Sequence, residues 1–315
     1  MKLAASLAVV FSLVVLSWAQ TFNPAHVSED ANWVMHANVE RMFASVLGQT
    51  VRARLEKDID REARDFLALL KLNLFEDISW ATAYGTVKEN MEPSGVVLLR
   101  GRFDRNHLET LLSAREEHRS HSHNGATIHQ WVPQELGDGD DPMFGAFHED
   151  RLLLTGSDLN AVKAGLNVLA GRSGALEDGD LARGLQAHDP SVYFSLASAL
   201  PQSDAAAAGG MGIMGLDQVK SLRLALGETA RAVRLNIAIG AKDLEAAEQI
   251  HGGLQGLRGM IQMQAAAEPD MARMLNALTI RQVDSNVNIQ WSMPIDEALA
   301  AMQALQAKQK AAPRP

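Results

Sequence analysis

Between His107 and His148 the chain carries six of its ten histidines. His118, His121 and His123 stand together in EEHRSHSHN, His129 follows in TIHQW, and Asp138, Asp140 and Asp141 come a few residues later. Imidazole nitrogen and carboxylate oxygen are good ligands for zinc or nickel. A fold that brought His118, His121, His123 and His129 to one point would therefore make a metal site. The H-x2-H-x-H spacing matches no defined metal signature, and a solvated loop beside a sheet accounts for the same letters. Two M-x2-M pairs, Met260 with Met263 and Met271 with Met274, offer thioethers that suit Cu(I). At helical spacing such methionines more commonly fill gaps in a core. Arg223, Arg234 and Arg281 could hold an anion, though arginines at such positions are ordinarily solvated.

Signatures of catalysis are missing. The sequence has no G-x-S-x-G elbow, no G-x4-G-K-[ST] loop, no H-E-x-x-H and no dinucleotide fingerprint after a strand. REEHRSH shares letters with a zincin but not their order. No cofactor is implied. With no cysteine, thiol catalysis, disulfides and cysteine metal sites are excluded together. A formal charge of −9 becomes −10 if Lys2 is removed with a leader, which argues against nucleic acid or an anionic membrane as partner. The only basic cluster is the C-terminal KQKAAPRP, which reads as a frayed end.

Four segments repeat one pattern of strand, turn and helix with an early aspartate. They are 94–112 with Asp104, 151–169 with Asp158, 233–251 with Asp243 and 286–305 with Asp296. An aspartate there accepts backbone N–H groups that have no helical partner and complements the helix dipole. In the second half, Leu222, Leu224 and Leu226 alternate with Arg223. Val233, Leu235, Ile237 and Ile239 likewise alternate with Arg234 and Asn236, and Val287, Ile289 and Trp291 with Asn288 and Gln290. Strict alternation is the mark of an antiparallel sheet with one face on helices and one in water. One helix is unusual, because HGGLQGLRGM places Gly252, Gly253, Gly256 and Gly259 within eight residues. Each costs about 1 kcal/mol against alanine, so close packing by a neighbour is expected there.

The chain reads as α+β, with two tandem β-α-β-β-α-β-β-α copies, mainly antiparallel sheets, helices on one face and a ferredoxin-like order within each copy. Residues 1–19 read as a signal peptide: Lys2, the apolar run Leu3 to Leu16, and Ser17-Trp18-Ala19 as the cleavage site. That run is shorter than the roughly 20 residues a spanning helix needs, so no membrane segment remains after cleavage. Residues 20–30 are a loose stretch, 31–171 copy one, 172–189 a linker, 190–307 copy two and 308–315 a disordered tail.

The segments LNLFEDISWATAYGTV, GVVLLRGRFDRNHLETLL, TIHQW and GAFHEDRLLLTGS resemble a family of exported bacterial proteins of unknown function. The resemblance covers Leu72 to Gly171 well and the rest loosely. It implies a secreted α+β protein and supplies no activity, cofactor or catalytic residue. The His-rich loop departs from that family.

The expected product is an exported protein, periplasmic or extracellular, that binds or builds rather than catalyses, with a protein partner or self-association left open. One alternative is a periplasmic metal carrier using His118, His121, His123 and His129. Another is a carrier of a hydrophobic ligand held between the two copies, under the Met211 to Met214 loop.

Overall fold

The computed structural model describes residues 22–59, 61–87, 93–132, 141–177, 180–185, 189, 191–200, 218–265 and 268–311. The expected signal peptide, Asp138, Asp140 and the Met211–Met214 loop lie outside them. The first half runs β1 (Trp33–Asn38), α1 (Val39–Ala44), α2 (Val46–Asp58), α3 (Arg61–Leu69), β2 (Ile78–Val87), β3 (Pro93–Gly101) and α4 (Arg105–Ser113). It continues with β4 (Arg119–His123), β5 (Ala126–Trp131), β6 (Met143–Glu149), β7 (Leu152–Gly156) and α5 (Leu159–Leu169). Next come α6 (Asp180–Leu185), β8 (Val192–Ala199), β9 (Val219–Glu228), β10 (Ala232–Ala241), α7 (Leu244–Ala265) and α8 (Pro269–Asn276). The chain closes with β11 (Leu278–Val283), β12 (Asn286–Pro294) and α9 (Ile295–Ala311).

All four aspartate segments are strands feeding helices. Asp104 accepts from His107 N, Asp158 from Asn160 N and Ala161 N, and Asp243 from Ala246 N, while Asp296 sits in the first turn of α9. The strands join one 12-stranded sheet in the order β11-β12-β10-β9-β8-β1-β2-β3-β7-β6-β5-β4. Every pairing among the described residues is antiparallel. A ferredoxin-like unit contains a split βαβ with parallel strands, so that arrangement is absent. The order of elements did not fix how they pair.

The helical cover changes sides along the sheet. On one face, Val34, Trp80, Tyr84, Val96, Leu98, Leu152 and Leu154 are buried with Val162 and Leu166 of α5 and with Ala182 and Leu185 of α6. Each large side chain removed from water there contributes roughly 1.5–3 kcal/mol. Beyond β8 the cover lies on the other face, where Ile280 and Val287 pack on Ala246, Ala247 and Ile250 of α7. Val233 and Met293 of the same face pack on Ala298 of α9, with Leu47 of α2 alongside. The first face of this half carries the exposed Arg223, Arg234, Asn236, Gln290 and Arg281, as the alternation indicated.

Several segments read as loose belong to the core. Phe22 and Val27, in the 20–30 stretch expected to be loose, are buried, Val27 completely. Leu176, Ala182 and Leu185 of the expected linker are buried too, and Leu176 N donates to Val27 O at 2.7 Å. A few large apolar residues decide such segments, and surrounding Gly and Asp hide them from a reading by composition. The helix α9 continues to Ala311, into the expected tail.

Candidate functional site

The histidine segment is a strand, β4, rather than a loop. Its residues alternate between faces, so pairing with β5 places His121 opposite Ile128 and Ser120 opposite His129. The sheet therefore separates the four imidazoles. On one face His121 Nε2 is 2.9 Å from Gln130 Oε1, and His123 Nε2 is 2.9 Å from Asn167 Oδ1 of α5. On the other, His118 Nε2 is 3.0 Å from His129 Nδ1. No group of three metal-ligating side chains forms among the described residues, so the four do not make the shared point expected of them. What does form is a line of three titratable groups, because His129 Nε2 also lies 3.8 Å from Glu109 Oε1 of α4. Burial pushes the His129 pKa down, with the Glu109 carboxylate pulling it up less strongly. Glu109 escaped the sequence reading, although its i,i+4 pairing with Arg105 at 2.8 Å was a visible signal.

Of the two methionine pairs, the second meets a core, with Met274 packed against the Val233, Met293 and Ala298 cluster, and the first does not. Met260 and Met263 on α7 are 54% and 76% exposed. Among the described residues, nothing lies within 4 Å of a Cβ added at Gly252, Gly253, Gly256 or Gly259, so the close packing expected there is not found among them. In α8 the Met274 carbonyl accepts from Trp291 Nε1 at 3.0 Å.

A third arrangement spans the molecule. Register places Phe147, Leu153, Leu99, Ala81, Ala37, Phe194, Leu226, Leu235 and Trp291 in one cross-strand row on the second face. A parallel row runs Val97, Ala83, Met35, Leu196, Leu224, Ile237 and Ile289. From β3 to β10 none of these is fully buried, whereas the opposite face under α5 and α6 is. The helix α1 lies against β2 and β8, and α2 meets α9, so helices border the rows. The alternation of Leu222–Leu226 and Val233–Ile239 foretold half of this surface. Met35, Ala37, Ala81 and Ala83 gave no comparable signal, because alanine marks neither face.

No family model matches the chain, and no curated protein matches it. Crystal form III of TP0453 superimposes with a TM-score of 0.51 at 10% identity, over 91% of this chain and 99% of that one. Crystal form I gives 0.49 at 10% identity, covering 91% and 98%. The likeness is one of fold.

Proposed function

We propose that the chain is an exported, non-catalytic binding module that holds an elongated apolar ligand on the second face of its sheet, across the β8–β1 junction. The supporting observation is the pair of apolar rows left partly open from β3 to β10. Contiguous apolar surface of this kind ordinarily serves recognition. Strands about 4.8 Å apart give the rows a length of roughly 24 Å over those six strands, a shape that suits an extended hydrocarbon chain. Export rests on Lys2, the Leu3–Leu16 run and Ser17-Trp18-Ala19.

Titration with a fluorescent polyene fatty acid tests the reading. The protein should give saturable emission, and Leu196→Asn or Leu224→Asn should weaken it about tenfold, the cost of placing an amide against the ligand. Equal emission from wild type and both folded variants would refute it.

The tandem copy belongs to the same proposal. The spatial run β1-β2-β3-β7 is matched by β8-β9-β10-β12, the two runs meeting at the β1–β8 pair. An internal alignment built from related sequences should superpose β1–β3 on β8–β10. Failure to do so would remove the duplication without touching the ligand surface.

A further inference from the structure

A second concavity lies at the β4 end of the sheet, outside the β3 to β10 stretch of the apolar rows and sharing only Phe147 with them. It is a cavity of about 330 Å3, at the small end of the range that ligand pockets occupy. Arg105, His123, His148 and Arg172 line it together with the apolar Phe147 and Leu166, and none of its lining residues is acidic.

Different elements deliver the four cationic or titratable groups, and Arg105, Arg172 and His123 are each held by a polar contact. Arg105 comes from α4, where Glu109 at 2.8 Å and Asp150 at 3.8 Å fix its guanidinium over the Phe147 ring, 5.5 Å from the centroid. Arg172 follows α5 and donates from Nη1 to Asn124 O at 3.3 Å, across the β4–β5 turn. That turn needs Asn124 and Gly125 at positive φ, 50° and 87°, and it sets His123 against Asn167 of α5. His148 is the extra residue of a bulge, since the β6–β7 register shifts between Phe147 and Glu149. A bulge re-aims a side chain out of the strand's alternation. No hydrogen bond among the described residues reaches the His148 ring, so its nitrogens remain available to a ligand.

We infer that this cavity binds a phosphate monoester carried on a small apolar body. Two guanidinium groups and two imidazoles can donate to three phosphate oxygens, and guanidinium geometry matches them two at a time. Phe147 and Leu166 give the ester's organic group an apolar wall. The chemistry is shared by a soluble phosphate ester and by a lipid headgroup of the phosphatidic acid type.

The probes are phenyl phosphate, phenol and mixed phosphatidic acid–phosphatidylcholine vesicles, read by calorimetry and by the imidazole NMR signals of the full chain. Phenyl phosphate should shift His148 and His123 saturably and phenol should not. His148→Gln and Arg172→Gln, with unfolding midpoints unchanged, should each weaken binding about tenfold, the scale of one charge-assisted bond. Vesicle capture without phenyl phosphate binding, lost in both variants, would assign the ester to a headgroup. The inference is overturned if neither probe binds up to about 10 mM, a free energy too small for a built site, or if both folded variants bind as wild type does. The apolar rows are untouched by either substitution, so this result is independent of the fatty acid titration.

Discussion

His36 Nδ1 lies 2.8 Å from Thr82 Oγ1, buried between paired strands, with the imidazole set against the rings of Phe22 and Trp80. Burial drives its pKa down to about 4 from 6.5, because a charged ring here would lose its water. The unfolded chain therefore binds the proton more readily than the folded one. Stability is complete above pH 6.5 and declines as pH falls toward 4. The loss amounts to about 3 kcal/mol at 1.36 kcal/mol per unit. The urea midpoint should be lower at pH 4.5 than at pH 7.5, and His36→Gln should narrow the gap. An unchanged gap in the variant would contradict the assignment.

Tyr84 presents the converse case. Its hydroxyl is buried with no hydrogen-bond partner among the described residues, under Gly165 of α5, and burial raises its pKa. An unpaired buried hydroxyl carries a desolvation cost of about 1–3 kcal/mol. Tyr84→Phe removes that cost and keeps the ring, so the thermal midpoint should hold or rise. A clear fall would reveal a partner for the hydroxyl.

Glu228 of β9 joins the halves. Its Oε1 and Oε2 accept from Val46 N at 2.8 Å and Leu47 N at 2.9 Å, at the start of α2. A carboxylate there satisfies two orphan donors and complements the helix dipole. Glu228→Ala should cost about 1–2 kcal/mol in chemical denaturation, and Glu228→Gln less. Equal stability of the alanine variant would show that α2 is held by Leu47 packing alone.

The open glycines of α7 make a prediction of opposite sign. Gly253 has no described neighbour within 4 Å of its would-be Cβ, so Gly253→Ala should stabilise the protein by about 0.5–1 kcal/mol through helix propensity. Destabilisation on urea unfolding would mean that another chain packs on this helix in solution.

What could be read in the sequence was whatever a single segment determines. The capping aspartates Asp104, Asp158 and Asp243 act within four residues of themselves, and they stand where expected. The alternation of Leu222–Leu226 sorted faces correctly because it is local as well. Strand β4 was hidden, since RSHSH has little intrinsic strand preference and exists as a strand through its pairing with β5. The separation of His118 and His129 from His121 and His123 follows from that pairing. A linear reading could not supply it. The same holds for the glycines of α7, where spacing signals a close approach that no described neighbour makes.

The most direct test of the apolar surface is photoaffinity labelling with a diazirine-bearing fatty acid, followed by mapping of the modified residues. Saturable labelling concentrated on Met35, Leu99, Leu196, Leu224 and Ile237 is the expected result. Labels confined to exposed Met260 and Met263 of α7, or labelling that never saturates, would contradict it.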